Sequence, residues 1–502
     1  MSPIESVTHR PGNLVAFVTL GCAKNEVDSE KMQARLLMAG FELTDNCEHA
    51  DAIIINTCSF ITEATEEAIA VILEAAELEH VSAGFGKIII TGCMPSRYGV
   101  ELKNELPEVS AFVPCADEEN IAELVREVLG LTSDESGGAF GATGVTGASG
   151  STGASGSTGE TSTSRPAFLR TTKAPWAYVK IADGCDRRCS YCTIPLIKGG
   201  YRSENPIDIY FEVSGLVASG VREIILIAQD TGIWGQDLKL YKRMPDVISD
   251  GIAQEMEMRE LEAIDNLADL LDMLAGRFST TWFRVMYLQP AGISDHLLDV
   301  MASHSNICNY LDIPLQHANA RILREMNRSG SAEEYLHLLT RIREKLPDAA
   351  LRTTLITGFP GESEADAAEL ESFIEAAEFD YVGIFSYSQE EGTVAGQRND
   401  QVPEDIRLER MQRLRDIADS IAFHKLANRI HTTEEVIVTG YDEDAPDDPY
   451  PVLGRTKRQA PEVDGMVHLD RGNIAEMLSA TIVDVYCYEM DGKVQDRADG
   501  LL

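Results

Sequence analysis

Three short apolar runs each end at a cysteine, and this repeat constrains the fold more than any other feature of the 502-residue chain. Leu14–Thr19 leads to Gly21-Cys22, Asp51–Asn56 to Thr57-Cys58, and Lys87–Ile90 to Thr91-Gly92-Cys93. The cysteines are spaced by 36 and 35 residues, one β–α unit each. Helical segments, Val27–Ala39 and Ala64 to about His80, fill the intervals. Strand, helix, strand in this order predicts a parallel sheet with right-handed crossovers. The C-terminal ends of its strands share one edge, where ligands bind. Cys22, Cys58 and Cys93 should therefore converge there. Cysteines kept only for packing would lie inside strands or on helix faces, so we read the trio as holding an iron–sulfur cluster.

A tighter motif follows the run WAYVKI: Cys185, Cys189 and Cys192, spaced C-x3-C-x2-C. Three thiolates on one loop can hold three irons of a [4Fe–4S] cube. The fourth iron then has no protein ligand, and an open metal position is where a substrate binds. Zinc would need a fourth ligand, and no further Cys or His lies near the motif. The other four cysteines, Cys47, Cys115, Cys308 and Cys487, share no such placement and are read as structural.

Around these motifs the chain divides into four segments. Residues 1–132 carry the first repeat, read as a Rossmann-like parallel-sheet domain. Residues 133–168 are rich in Gly, Ala, Ser and Thr, with GASGST twice in tandem, and should form a flexible linker. Residues 169–427 show six strand-like runs separated by helical segments: Trp176–Ile181, Glu223–Ala228, Trp282–Tyr287, Tyr310–Ile313, Leu351–Thr357 and Tyr381–Phe385. These predict a partial (β/α)6 barrel with its chemistry at the C-terminal ends of the strands. A charged, Met-rich stretch near 239–265 reads as a surface insertion. Residues 428–496 carry the runs Glu435–Thr439, Gly465–Leu469 and Ala480–Tyr488, which predict a small antiparallel β-barrel. The fold class is α/β, with that β-barrel appended.

Several polar groups follow barrel strands: Gln229-Asp230, Gln289, Gln316-His317, and the stretch from Thr357 through Gly358, Phe359 and Gly361 to Glu362. Glycines there would let backbone approach an adenosine. Their pattern does not match a dinucleotide fingerprint. Lys198, Arg202 and Arg284 are cations on or after barrel strands and are candidates to hold a substrate carboxylate.

The aromatic Tyr191 before the last cysteine completes a motif that resembles the radical S-adenosylmethionine (SAM) superfamily. That resemblance implies that the open iron chelates SAM, and that Tyr191, Gln229, Asp230, Gln316, Gly358 and Phe359 contact it. TLGCAKNEVDSE (19–30), NTCSF (56–60), TGC (91–93) and GCDRRCSYCTIP (184–195) together resemble the radical-SAM methylthiotransferase family. The likeness spans nearly the whole chain apart from the linker and the insertion. It implies an N-terminal cluster domain, a radical-SAM barrel and a C-terminal TRAM domain. It also implies two [4Fe–4S] clusters, with SAM as both methyl donor and radical source. GCAKNEVDSE, LDIPLQHAN (311–319) and YSQEEGT (387–393) look like the RimO branch, which modifies an aspartate β-carbon of ribosomal protein S-twelve. The other branch, MiaB-like, modifies an adenosine of tRNA.

Charge bears on that choice. The formal net charge is −39, and from His431 onward there are 16 acidic and 6 basic residues. A tail that grips tRNA needs a basic surface, whereas an acidic one steers a basic protein. The expected partners are therefore ribosomal protein S-twelve and an electron donor such as flavodoxin or ferredoxin, with tRNA disfavoured. A local patch of Arg455, Lys457 and Arg458 is the counter-argument for RNA. An iron–sulfur electron-transfer protein without catalysis is the alternative of another class. The opening MSPIESVTHRPG has no leader pattern and no run of about 18 apolar residues occurs, so a cytoplasmic location without membrane contact is expected.

Overall fold

The computed structural model describes residues 12–131, 174–238, 261, 263–445 and 447–496. The linker and most of the insertion lie outside the described residues. The chain forms two compact units, the second beginning at Thr172 but for a few residues near Phe60.

The first unit is a five-stranded sheet of β1 (Leu14–Thr19), β2 (Glu42–Thr44), β3 (Ala52–Thr57), β4 (Lys87–Gly92) and β5 (Ala111–Pro114). Its order is β2-β1-β3-β4-β5, and every pairing is parallel. The continuous apolar run of β3 follows from burial on both faces. Ile53 and Ile55 join a layer with Ala68 and Ile72 of the helix Thr62–Glu77, while Ile54 joins Met32, Leu36 and Ile121 on the other face. The helix Ala23–Met38 begins directly after Cys22, earlier than its apolar periodicity suggested.

The second unit contains the barrel. Its main strands are β6 (Trp176–Lys180), β9 (Glu223–Ile227), β10 (Trp282–Val285), β11 (Tyr310–Gln316), β12 (Ala350–Thr357) and β13 (Tyr381–Ser386). A short hairpin pair, β7 (Ala182–Asp183) and β8 (Arg202–Ser203), flanks the cysteine loop. The six main strands form two parallel three-stranded sheets, β10-β9-β6 and β11-β12-β13. A bridge from Phe283 to Ile307 links the region between them. The six expected strands are thus all present.

The tail is a closed barrel of β14 (Thr433–Tyr441), β15 (Val452–Thr456), β16 (Val467–Leu469), β17 (Met477–Tyr486) and β18 (Glu489–Val494), in the order β14-β15-β16-β18-β17. It is mixed and not purely antiparallel, because β16 and β18 pair in parallel. β15 escaped the sequence reading, since Arg455 interrupts its apolar pattern.

The two parts of the second unit join at the N-terminal end of the large barrel. Trp176, Glu223, Trp282, Tyr310 and Tyr381 are the first residues of their strands, and each meets the tail. Glu223 accepts from Arg284 Nε and from Arg455 Nη2, both at 2.7 Å, and all three side chains are buried. Burial alone would raise the Glu223 carboxyl, but Arg455 and Arg284 hold it below the ordinary value. The Arg455 guanidinium lies over the Trp176 ring at 4.9 Å, and Lys457 Nζ over Trp282 at 5.1 Å. Tyr310 donates to Asp464 at 2.7 Å, and Tyr381 stacks on Tyr488. No helix of the described residues is long and apolar enough to cross a membrane.

Changing Glu223 to Gln leaves two buried guanidinium groups short of charge, and breaking such a pair costs about 3–5 kcal/mol. Urea unfolding followed by tryptophan fluorescence should show that loss. Replacing Glu223, Arg284 and Arg455 together by apolar residues should restore much of it, because apolar packing removes the desolvation penalty.

Candidate functional site

In the first unit, Asn25 touches Cys22, Cys93 and the residue before Cys58. Cys22 caps the helix Ala23–Met38, and its carbonyl accepts from the Asn25 amide at 2.8 Å. The Asn25 side chain donates to Leu20 O at 2.8 Å and Thr57 O at 3.2 Å, binding the ends of β1 and β3. Cys93 Sγ stands 4.0 Å from Asn25 Oδ1. Cys58 packs against Gly21, where an added Cβ would lie 2.6 Å from Cys58 Cβ and 3.2 Å from its Sγ. Gly21 and Gly92 both have positive φ, and a Cβ on Gly92 would fall 2.3 Å from Asn56 Oδ1. The glycines before Cys22 and Cys93 therefore let the strand ends close on one another. Asn25 had no signal of its own in the sequence.

In the second unit, the C-x3-C-x2-C loop leaves the C-terminal end of β6. Gly184 (φ +74°) starts it, and a Cβ there would meet Gly200 O at 2.1 Å. Cys185 N donates to Gly199 O at 3.1 Å, and Cys192 N to Cys189 O at 3.1 Å. Burial, with the neighbouring thiols, pushes Cys192 up to about 12 and raises Cys185. A metal bound at the loop would oppose both shifts, since the charge of an ion favours the thiolate. Among the described residues, no three ligating side chains already stand as a metal-binding group.

Beside this loop, β9 ends at Gln229-Asp230. Asp230 is fully buried; its Oδ2 accepts from Arg187, and its Oδ1 has no partner. Burial raises the Asp230 carboxyl, and Arg187 opposes the shift. Gln229 Nε2 donates to Asp183 Oδ1 at 3.0 Å, and its Oε1 is also buried without a partner. Two unmatched acceptors at the cysteine loop fit a ligand with hydrogen-bond donors, as the amino group of SAM would supply. Tyr191 sits half-buried within the motif, its hydroxyl beside Cys189.

The barrel mouth also carries backbone strain. Gln316 (φ +73°), at a register shift of β11, and Tyr287 (φ +62°), just past β10, are non-glycine residues in the left-handed region. Such conformations cost about 1–3 kcal/mol and cluster at functional sites.

Other expected positions differ. Gly358 and Phe359 do not present an open face. A Cβ on Gly358 would lie 2.2 Å from Arg407 Cγ, so the glycine makes room for that side chain. Both backbone amides donate to Glu362 Oε2, and the buried Phe359 ring packs on Tyr387 and Arg398. His317 is buried, accepts at Nδ1 from the Ala318 and Asn319 amides, and faces Glu362 at 3.4 Å. Arg284 belongs to the buried pair with Glu223 and is unavailable to a substrate at the mouth. Lys198 pairs with Asp183 at 3.8 Å, and Arg202 is exposed on β8. Cys308 is buried as expected of a structural thiol, whereas Cys487 is exposed in the turn after β17.

Three segments of the chain match known families. Residues 14–114 match the uncharacterized protein family UPF0004, 179–374 the radical SAM superfamily, and 432–494 the TRAM domain. The chain is 38% identical over 482 residues to the ribosomal protein uS12 methylthiotransferase RimO of Geobacter sulfurreducens, covering 96% of this chain and 98% of that one. The protein of the same name from Syntrophotalea carbinolica is 35% identical over 509 residues, covering 99% and 100%. Among solved structures, the radical SAM methyltransferase TsrM of Kitasatospora setae aligns with a TM-score of 0.51 at 13% identity, over 77% of this chain and 74% of that one. That likeness concerns the fold alone.

Changing Gly184 to Ala should distort the cysteine loop at a cost of roughly 1–3 kcal/mol, the range for such backbone strain. In metal-free protein, alkylation followed by mass spectrometry should find Cys185, Cys189 and Cys192 labelled faster than in the parent.

Proposed function

We propose that this chain, which belongs to the RimO family of radical-SAM methylthiotransferases, places a methylthio group on the β-carbon of an aspartate in ribosomal protein uS12. Cys185, Cys189 and Cys192 would hold one [4Fe–4S] cluster, and Cys22, Cys58 and Cys93 a second. The cluster on Cys185, Cys189 and Cys192 would supply the electron that cleaves SAM to a radical able to break the C–H bond, and the one on Cys22, Cys58 and Cys93 would supply the sulfur. Asp230 and Gln229 offer buried acceptors that orient SAM beside the cysteine loop, with Tyr191 and Gln316 bordering the same mouth. Any contact from Gly358 and Phe359 is restricted to atoms outside their Glu362 hydrogen bonds. Electrons would come from a low-potential donor such as flavodoxin or ferredoxin.

One observation supports a protein over tRNA as substrate: the cations of the tail patch are engaged within the second unit. Arg455 is buried on Glu223. Lys457 donates to Ser305 O at 2.9 Å and to Glu435 at 2.8 Å. Arg458 donates to Asp348 O at 2.6 Å and to Asp380 at 2.8 Å. Cations held this way cannot neutralise phosphates without breaking those pairs. Glu443, Asp444, Asp447, Asp448 and Asp484 remain exposed on the tail. A Lys- and Arg-rich protein gains from that field, with an on-rate that falls as salt rises.

The reconstituted enzyme, given SAM, sulfide and reductant, should add a methylthio group to an aspartate of purified uS12, read by tandem mass spectrometry. Methylthio-adenosine in tRNA, with uS12 unmodified, would sink this reading. Replacing Cys185, Cys189 and Cys192 by Ala should remove about half of the iron, as expected of two four-iron sites, and abolish SAM cleavage. Cys58→Ala should instead spare 5′-deoxyadenosine formation and stop methylthio transfer.

A further inference from the structure

The middle of the cysteine loop is held by the turn that follows the helix Ala320–Glu325. Ser190 N donates to Met326 O at 3.0 Å, and its hydroxyl to Glu325 O at 2.7 Å. Asn327, in the left-handed region at φ +57°, donates from its side chain to Arg188 O at 2.8 Å. The next residue reaches a thiol directly: Arg328 Nη1 donates to Cys189 Sγ at 3.7 Å. Its Nη2 donates to Gln289 Oε1 at 2.6 Å and to Pro314 O at 2.8 Å. Gln289 follows β10 and Pro314 lies in β11, so two barrel strands fix the plane of the guanidinium and aim one edge at the sulfur. None of this was legible in the sequence, where Arg328 is one arginine of an ordinary polar turn.

We propose that Arg328 is a positioning residue that holds Cys189 and raises the reduction potential of the cluster on Cys185, Cys189 and Cys192. This rests on the reading that those three thiolates carry a cluster. Reduction adds one electron, taken from the external low-potential donor, and so one negative charge. A fixed cation and an N–H donor on a ligating sulfur stabilise that added charge more than they stabilise the oxidised form. Guanidinium is suited to the task because it stays protonated at any working pH and its fork can serve the sulfur and the two oxygens together. A lysine would keep the charge but not the geometry.

The test uses the full-length chain with Cys22, Cys58 and Cys93 changed to Ala, so that a single cluster is titrated. Arg328→Met and Arg328→Lys are reconstituted beside this parent. Iron content, SAM affinity and the midpoint from an electron-paramagnetic-resonance redox titration are measured. The expected result is parental iron content with a midpoint shifted to more negative potential in Arg328→Met, and a smaller shift in Arg328→Lys. An intact cluster with an unmoved midpoint overturns the proposal, as does lost SAM affinity without a shift, which would assign Arg328 to the ligand. If Arg328→Met fails to hold iron, Arg328→Lys and Arg328→Gln decide, and parental midpoints in both overturn it. If the parent holds no cluster, or keeps it after Cys189→Ala, the cluster reading itself fails and takes this proposal with it.

Discussion

A single buried carboxylate, Glu223, sets how the second unit is assembled. It sits at the first position of β9 and receives one arginine from the neighbouring strand and one from the tail. A carboxylate buried there without cations would be costly, and either guanidinium without the carboxylate would be a bare charge in a dry site. The three groups are therefore interdependent. Arg284 also donates to Lys457 O at 2.9 Å, so the backbone of the tail is fixed along with its charge. Around this centre Tyr310 and Trp176 supply aromatic faces for Arg284 and Arg455, and Trp282 one for Lys457. The tail accordingly closes the N-terminal end of the barrel, and the opposite end is left for chemistry.

The division between the two barrel ends explains which cations are available to a substrate. From sequence, Arg284 looked like a candidate for a substrate carboxylate, and Arg455, Lys457 and Arg458 like a possible phosphate grip. Both ideas treat a charge as free because no partner is near in the chain. Glu223 and Arg455 are 232 residues apart, and Arg458 and Asp380 are 78 apart. Partners at such separation are invisible to any local pattern. Once they are matched, the surplus charge of the tail is acidic, as the bare count of residues had already indicated.

What the sequence did convey was periodic. Apolar runs of strand length at regular intervals identified the parallel sheet, the six barrel strands and the strand ends that carry cysteines. The short strands β2 and β5 of the first unit were missed, because three or four residues carry too little pattern. β15 was missed because two of its five residues, the ion-paired Arg455 and Thr456, are buried polar groups. The parallel pairing of β16 with β18 was not legible either, since pairing order follows from closure of the barrel and not from alternation within a strand. At the candidate site, the cysteines were readable because they recur at fixed spacing and at strand ends. Asn25, Arg187 and Arg328 were not, since each acts through hydrogen bonds that include a partner distant in sequence.

Gly358 shows a second use for a glycine at a strand end. A glycine beyond a barrel strand invites the idea that backbone must approach a ligand. Here the left-handed conformation and the missing Cβ admit Arg407, which in turn donates to Tyr387 O. Phe359 and Tyr387 then pack edge to face, and Glu362 collects the two amides. The glycine thus belongs to a support that holds the β12 end in place. Gln316 differs in kind, since a side chain is retained despite a positive φ. A polar side chain kept in a conformation that costs about 1–3 kcal/mol marks a position where substitution by glycine would relieve the backbone and remove only the side chain.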